Sequence, residues 1–385
     1  MTVSLHAIGT ALPPTTIHQD RVSRLFAEQP GMSRLGSRLV SSVFAGSGVR
    51  TRQTVLAELA DTDDDTRHDG AAPDDTAQHD RGNGFLDPAT RTLHSPSTAA
   101  RNALYMREST GLFTHAARDA LARAPHLAPE DITHVVTVSC TGFFAPGPDI
   151  HLTKALGLSP DVARVHLGFM GCNAAFGALR AAAAYCRSEP GAVVLVVCAE
   201  LCTLHLHVRN DPDTIMGNAL FGDGAAAALL SSRPGPDDAP LPELLDQETT
   251  LAPAGEHELA WSIGDEGFEM ILGSYVPSII DDHVTDSLKP LLERAQLSVE
   301  DIGHWAVHPG GRQILDKVET RLGLSPEQMA PSREVLAEVG NLSSATILFV
   351  LQRLIDTGRA GTACAMAFGP GLSIESALLR LPGTR

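Results

Sequence analysis

The sequence contains few cysteines, few cations and no long apolar run. Its six cysteines in 385 residues are too scattered for a disulfide framework, so we expect a reducing, cytoplasmic environment. Lys and Arg total 29 against 46 Asp and Glu, and the resulting net charge of −17 repels phosphate backbones, which argues against nucleic-acid binding. The longest strongly apolar run, residues 192–199, is far shorter than the ~18 residues of a membrane span. We therefore expect no membrane span, and the first ten residues show no signal-peptide pattern.

The overall composition is that of a globular protein. Hydrophobic residues make up 43% and charged residues 19% of the chain, which is enough to bury a sizeable core. At roughly 150 residues per domain, the length indicates two domains or one double domain. Short β-branched runs at 3–8, 132–138 and 192–198 alternate with Ala- and Leu-rich segments of helical period at 116–123 and 174–185. This alternation predicts an α/β layered fold.

Two stretches interrupt the alternation. Residues 58–82 combine many aspartates with Gly and Pro, and they predict a solvated, mobile acidic loop. His68 and His79 lie in this loop without the spacing of metal ligands, so a metal site there is the weaker interpretation. Residues 231–243 carry four prolines, and they predict a connection between an N-terminal half, 1–235, and a C-terminal half, 236–385.

An internal repeat supports this division into halves. The segment LAPEDITHVVTVSCTG at 127–142 resembles LSVEDIGHWAVHPGG at 297–311. When this alignment is continued along the chain, Cys172 and Asn341 occupy equivalent positions, each before an Ala- or Ser-rich helical run. His308 is equivalent to Val138, which lies at the end of a predicted strand. A duplicated α/β unit would bring the three residues to strand ends and helix starts, where α/β folds usually form their sites.

The residue types at these positions fit nucleophilic catalysis. Cys172 precedes a predicted helix whose N-terminal dipole favours a thiolate, although most free cysteines are simply small buried side chains. His308 ends a strand before Pro-Gly-Gly, and Asn341 could equally be a helix N-cap. Together, Cys, His and Asn can form a thioester and stabilise a developing oxyanion. We also expect His308 to pair with the thiolate and lower the pKa of Cys172.

Five segments carry a family resemblance. They resemble the signature blocks of type III polyketide synthases, the chalcone and stilbene synthase family, in a bacterial-type form, and they follow in order over nearly the whole chain except 58–82. The segments are MGCNAAFGALR, NALFGDGAAAALL, HWAVHPGGRQILD, VGNLSSATILF and AFGPGLSIE. The resemblance implies a thiolase-like αβαβα five-layer fold built from two duplicated halves. It also implies a homodimer that needs no metal and no organic cofactor.

The resemblance implies an activity as well. The enzyme would condense malonyl-CoA, with decarboxylation, repeatedly onto an acyl-CoA starter held on Cys172, and it would cyclise the chain to a pyrone, resorcinol or phloroglucinol-type product. His308 and Asn341 would hold the malonyl thioester carbonyl and stabilise the enolate. Phe221 and Phe268 match two gatekeeper phenylalanines between a CoA tunnel and the cavity. The implied substrate-binding residues are Phe221, Phe268, Cys140, Ser343, Gly310 and Gly311.

Two alternative functions remain open. A 3-oxoacyl synthase of the fatty-acid type would use the same triad for a single condensation. A catalytically silent member of the family could act as a binding partner, but the intact triad argues against this.

Several residues have less certain roles. The cations near the N-terminal helices that could hold CoA phosphates are Arg38, Arg50 and Arg52, and an acyl carrier protein is the alternative thioester donor. Asp223 is interpreted as a turn residue rather than a base. The cysteines at 140, 198 and 202 are interpreted as core residues rather than zinc ligands, because no matching histidines accompany them.

Overall fold

The computed structural model describes residues 2–60, 84–253 and 255–383, so the expectation for the acidic segment concerns residues that lie almost entirely outside the described ones. The strands are β1 (Val3–Ala11), β2 (Thr15–His18), β3 (Thr51–Thr54), β4 (His134–Ser139), β5 (Ala163–Gly168), β6 (Val193–Leu201), β7 (Asp223–Ser231), β8 (Glu243–Leu251), β9 (Leu259–Gly264), β10 (Gly267–Leu272), β11 (His304–Val307), β12 (Ala360–Gly369) and β13 (Ser373–Pro382). The helices are α1 (Gln19–Ala27), α2 (Arg34–Gly46), α3 (Thr98–Arg123), α4 (Pro148–Leu156), α5 (Ala174–Ser188), α6 (Pro212–Leu220), α7 (Val276–Ala295), α8 (Arg312–Leu322), α9 (Pro326–Val339) and α10 (Thr346–Asp356).

Nine strands form one mixed sheet in the order β11-β12-β13-β8-β1-β7-β6-β4-β5. The first half of the chain contributes β1 and β4 to β7, and the second half contributes β8 and β11 to β13. In each half the outer strands pair in parallel, as in β4 with β6 and β11 with β12, and the inner strands pair antiparallel. The halves meet where β1 pairs with β8 at Val3 and Ser4. This repeated strand order matches the internal repeat of the sequence.

Alternate residues of each strand pack into different layers. In β6, Val194 and Val196 belong to a central core cluster, whereas Leu195 and Val197 belong to an outer one. The central cluster places α5 and α10 between faces of both half-sheets. The outer clusters cover the remaining faces with α3 on one side and with α7 and α8 on the other. The five layers αβαβα that we expected are therefore confirmed.

The predicted elements are present with shifted ends. Strands β1, β4 and β6 cover the three β-branched runs, and α5 covers the predicted helix at 174–185. The predicted helix at 116–123 is only the last part of the 26-residue α3, whose first turns contain polar residues and Gly111 and so hide the apolar period. Residues 232–242 connect β7 to β8, and the proposed boundary between 235 and 236 stays a prediction.

The central layer depends on small side chains. Helix α5 buries Ala174, Ala175, Ala178, Ala182 and Ala183 almost completely. Alanine favours the helix intrinsically, and its short side chain allows neighbouring backbones to approach closely. Among the described residues, none of the helices combines the length and apolarity needed to cross a membrane.

A close approach between β1 and α3 generates a testable prediction. A Cβ atom at Gly9 would lie 2.1 Å from the backbone N of Ala120 and 2.6 Å from the carbonyl O of Ala116. Because these are backbone atoms inside a long helix, we expect Gly9→Ala to lower the free energy of unfolding by about 2 kcal/mol or more in urea denaturation.

The matched control is Gly111→Ala in α3, where a Cβ would meet no atom within 4 Å. This variant should leave stability unchanged or raise it by up to about 1 kcal/mol, because alanine is the better helix former. Equal unfolding midpoints for Gly9→Ala and the native chain would contradict the close packing of β1 on α3.

Candidate active site

The two halves place a glycine before each of two site residues. Gly171, with φ +84°, precedes Cys172, and a Cβ there would lie 2.2 Å from Cδ of Pro370. Gly340, with φ +72°, precedes Asn341, and a Cβ there would lie 2.6 Å from a backbone carbonyl. Only glycine satisfies both the left-handed backbone and the lack of space. The internal repeat of the sequence is therefore also seen in the structure, as a glycine with positive φ in the turn before each of α5 and α10.

These turns bring Cys172 and Asn341 together. The Sγ of Cys172 lies 3.9 Å from Nδ2 of Asn341 and 4.0 Å from its Oδ1. The Oδ1 atom accepts hydrogen bonds from the N–H of Ser343 at 2.8 Å and from the hydroxyl of Thr346 at 3.2 Å. Because these bonds engage the carbonyl oxygen, the amide NH₂ remains available as a donor next to the sulfur.

His308 follows β11 directly and reaches the same place. Its N–H donates to the carbonyl of Met366 at 2.8 Å, which fixes the backbone. Its side chain is almost completely buried, and neither ring nitrogen has a hydrogen-bond partner within the described part of the chain. An unpaired buried polar group costs about 1–3 kcal/mol. Such a cost is expected where a side chain is kept for a ligand rather than for the fold.

Cys172, His308 and Asn341 line one cavity of about 50 Å³. The sequence-predicted residues that also line it are Phe221, Cys140, Ser343 and Gly310. Gly311 lies instead in the wall of a neighbouring tunnel, and Phe268 lines neither space. The geometry therefore unites the triad and four of the six predicted binding residues. The roles of all of them stay predictions.

Phe268 lines an adjoining pocket of about 50 Å³ that shares Phe221 and Trp261 with the cavity. It is buried and stacks on His205 with ring centroids 4.2 Å apart. Trp261, which the sequence analysis missed, lines the cavity and donates its indole N–H to the carbonyl of Cys140 at 3.0 Å. Nothing in the local sequence distinguished this tryptophan from a core residue, because its role arises from the contact between the hairpin β9–β10 and the loop after β4.

Burial sets the protonation of the triad. Burial raises the pKa of Cys172 to about 11, although a hydrogen bond from Ser343 partly opposes the rise. Burial lowers the pKa of His308 to about 3. The structure therefore gives the opposite direction from the lowered thiol pKa that we expected, because removal from water disfavours both charged forms. Near pH 7, a neutral thiol and a neutral imidazole face the cavity.

Glu200 is a second residue that the sequence analysis missed. It lies fully buried in β6, where its Oε2 accepts the N–H of Cys140 and the hydroxyl of Thr141, both at 2.9 Å. Its Oε1 accepts the hydroxyl of Ser344. The carboxyl thus ties the loop after β4 to the turn that follows Asn341. One acidic residue inside an otherwise apolar strand was the available signal, since such a group must find partners.

Cys140 holds the loop that carries the nucleophile. Its sulfur lies 3.0 Å from the backbone N of Gly171, which donates to it. Cys198 and Cys202 are buried in the core, and the described residues contain no group of three or more His, Cys, Asp or Glu positioned to bind a metal.

Two charged residues near the site have structural contacts. Asp223 is the first residue of β7 and not a turn residue, and it accepts the N–H of Val55 at 2.9 Å and the N–H of Thr203 at 2.8 Å, which are structural contacts. Arg52 is buried and donates to the carbonyls of Asn218 at 2.7 Å and Phe221 at 2.6 Å. Arg52 is therefore engaged with the protein backbone and is shielded from the surface.

A tunnel of about 310 Å³ adjoins the cavity. The two spaces share Leu272, Val276, Gly310 and Ile314 in their walls. The tunnel runs between α2, α6 and the first turns of α7 and α8, and it reaches the surface at the exposed residue Ser42.

Comparison with known families gives two matches. The family described as chalcone and stilbene synthases matches with its N-terminal domain at residues 86–234 and with its C-terminal domain at residues 243–382. Type III polyketide synthase C of Arabidopsis thaliana is 38% identical over 264 residues, which cover 66% of this chain and 68% of that protein. Type III polyketide synthase 21 of Oryza sativa subsp. japonica is 32% identical over an alignment that covers 98% of this chain and 93% of that protein. The chain also matches 10% of the length of polyketide synthase 37 of Dictyostelium discoideum at 32% identity.

Solved structures with the same fold are available. PKS-I from the brown alga Ectocarpus siliculosus superposes with a TM-score of 0.88 at 28% identity, over 99% of this chain and 98% of that one. A type III pentaketide synthase from Neurospora crassa superposes with a TM-score of 0.82 at 27% identity, over 98% and 99%. These similarities extend over both halves of the fold described above.

The buried carboxyl of Glu200 generates a prediction on stability and pH. Burial raises its pKa to about 7, while the unfolded chain keeps the usual value near 4.5. Between these values the folded state holds more protons than the unfolded state, so the native chain loses stability as pH rises from about 4.5 to 7. Glu200→Gln removes this loss, and its stability relative to the native chain should rise by about 3 kcal/mol from pH 5 to pH 8.

Urea denaturation of both proteins at pH 5, 6, 7 and 8 measures this difference. A difference between the two proteins that stays constant across this range would contradict the raised pKa of Glu200.

Proposed function

Because this chain belongs to the chalcone and stilbene synthase family and is a type III polyketide synthase, we propose that it condenses malonyl-CoA repeatedly onto an acyl-CoA starter held on Cys172. The observation that carries the proposal is the mostly apolar cavity lined by Cys172, His308 and Asn341. The product would be a cyclic pyrone, resorcinol or phloroglucinol-type compound. The reaction needs only the CoA thioesters as substrates, with no metal or organic cofactor.

Acyl transfer begins at Cys172. Its Sγ attacks the thioester carbonyl carbon, the bond from that carbon to the CoA sulfur breaks, and the acyl group becomes bound to Cys172. The thiol proton passes to His308, whose ring nitrogens have no hydrogen-bond partner among the described residues, and from there to the departing CoA thiolate. Cys172 and His308 are both neutral before the thioester binds, so neither is a buried charge in the free enzyme. His308 acts as the base only when the thioester is in the cavity.

Decarboxylation of malonyl-CoA then supplies the carbon nucleophile. The bond to the carboxylate breaks, CO₂ leaves, and the electron pair moves into the thioester as an enolate. The NH₂ of Asn341 and one N–H of the neutral His308 would donate hydrogen bonds to the enolate oxygen in a cavity shielded from water. The enolate carbon attacks the acyl group on Cys172, a carbon–carbon bond forms, and the cysteine sulfur leaves.

The wall of the cavity is mostly apolar, which supports an aliphatic or other apolar acyl starter. Phe221 and Trp261 belong to the walls that limit this space.

A homodimer is part of the same proposal. Met170, directly before Gly171, is 58% exposed, and Phe143 nearby is 39% exposed. Strand β5 lies at the edge of the sheet next to them. Exposed apolar side chains beside an open sheet edge favour association with a second copy.

The first test is formation of the acyl-enzyme. After incubation with a panel of short and long acyl-CoAs, intact-protein mass spectrometry should detect one acyl adduct on the native chain and none on Cys172→Ala, because the thiol is the nucleophile. Cys186→Ala removes another cysteine, from helix α5, and should form the adduct normally.

Products from the same tubes, with malonyl-CoA added, identify the reaction. Cyclic compounds that retain several malonyl units support the proposal. A single 3-oxoacyl product would instead assign a fatty-acid-type synthase, and an adduct on Cys172→Ala would exclude Cys172 as the nucleophile.

The second test separates Asn341 from acyl transfer. Asn341→Asp keeps the oxygen that accepts from Ser343 and Thr346 but loses the NH₂ donor. We expect CO₂ release from malonyl-CoA to fall by about 10²-fold or more, because one preorganised donor to the enolate is gone, while acylation of Cys172 persists.

Release of ¹⁴CO₂ and intact mass measure the two steps. Asn210→Asp, at an exposed amide that accepts from Ser33, is the control and should change neither. Normal CO₂ release by Asn341→Asp would contradict the donor role.

A further inference from the structure

The wall of the tunnel carries very little charge. Apart from apolar side chains and glycines, its polar side chains come from Ser42, Ser47, Ser274 and Gln313. Of the described residues that line the tunnel, Arg312 is the only charged one. A substrate that enters through the tunnel and carries several phosphates therefore meets one cation in its wall.

Arg312 is positioned to meet a ligand. It is the first residue of α8, directly after Gly310 and Gly311, and its side chain is 58% exposed. Its aliphatic stem lies against Gly48, where an added Cβ would stand 3.3 Å from the Cβ of Arg312. The stem is thus held between α8 and the end of α2 while the guanidinium remains accessible.

The ion pair of Arg312 is weak. Its Nε lies 3.6 Å from Oδ2 of Asp316, but the other oxygen of Asp316 lies 2.7 Å from Arg333, which also bonds Glu319. An exposed pair at 3.6 Å contributes little to stability. Arg312 can therefore exchange Asp316 for an anionic ligand with little loss.

The other candidate cations do not serve the tunnel. Arg52 is buried, its Nη1 donates to two backbone carbonyls, and it does not belong to the tunnel wall. Arg38 and Arg50 are exposed, and neither belongs to the tunnel wall. In a chain with a net charge of −17, the substrate phosphate that lies nearest the tunnel wall needs a local positive charge.

We propose that Arg312 binds the phosphate that ends the pantetheine arm of the thioester donor, so that 4′-phosphopantetheine is the whole recognition element and the nucleotide of CoA contributes little. The inference rests on the proposed function of the same site and extends it to the choice of donor. A CoA thioester and a carrier protein bearing phosphopantetheine present the same arm and the same first phosphate. Both would therefore enter through the tunnel to Cys172.

Steady-state kinetics with four malonyl donors tests the proposal. The donors are malonyl-pantetheine, malonyl-4′-phosphopantetheine, malonyl-CoA and a malonyl carrier protein. With the native chain, we expect KM for malonyl-pantetheine to be about tenfold higher than for the two small phosphorylated donors, which should agree within about threefold, since one charge-assisted contact is lost. A tenfold lower KM for malonyl-CoA than for malonyl-4′-phosphopantetheine would overturn the proposal.

The measurement with the malonyl carrier protein shows whether the phosphate is recognised on a carrier protein as well as on CoA. Turnover at a KM similar to that of malonyl-4′-phosphopantetheine supports recognition through the shared arm. If the malonyl carrier protein is turned over and its KM is the same for Arg312→Ala as for the native chain, the proposal is contradicted.

Variants of α8 separate binding from structure. Arg312→Ala should raise KM about tenfold for the phosphorylated donors and leave KM for malonyl-pantetheine and every kcat unchanged, and Arg312→Lys should recover part of the loss. Arg321→Ala removes a cation from the same helix that pairs with Asp281, and it should change no KM. An equal rise of KM for all donors in Arg312→Ala would assign a structural role instead.

A binding measurement needs no turnover. Calorimetric titration should show 4′-phosphopantetheine binding the native chain about tenfold more tightly than pantetheine, and this preference should disappear in Arg312→Ala. Absence of the preference would overturn the inference even if polyketides form. Failure of all donors to react, with the preference intact, would instead reject the proposed reaction.

Discussion

The packing of α5 and α10 between the two half-sheets is the constraint on which the site depends. Alanines on α5 let the central layer close tightly, and this fixes where both helices begin. Cys172 and Asn341 lie just before those starts, so their side chains come within 4 Å of each other. A nucleophile from one half of the chain thus meets an amide donor from the other half.

The burial that stabilises this layer also determines the chemistry. Removal from water disfavours the charged forms of Cys172, His308 and Glu200, and each pKa moves accordingly. Hydrogen bonds to Glu200 offset part of the free-energy cost of its burial, and they join the loop after β4 to the turn after Asn341. His308 has no such bonds within the described residues, so its polar atoms are available to a substrate.

The reacting groups lie in the mostly apolar cavity, and the charged side chain of Arg312 lies in the wall of the tunnel. The wall of the cavity is mostly apolar where an enolate would form, and hydrogen bonds gain strength in such surroundings. The tunnel reaches solvent, and Arg312, the one cation among the described residues of its wall, lies at the first turn of α8, outside the wall of that cavity. Arg312 would thus offer its positive charge to an anionic substrate outside the cavity that holds the reacting sulfur.

The sequence by itself determined the α/β class, the duplication and the family, and it predicted the three residues that meet in the cavity, because these follow from local periodicity and from short motifs in a fixed order. Only the tertiary structure decided the rest, since burial and contact depend on segments far apart in the chain. The pKa direction of Cys172 was wrong in the sequence analysis because desolvation cannot be read from its neighbours along the chain. Trp261, Glu200 and Arg312 acquire their places from the packing of the hairpin, the central sheet and the first turn of α8.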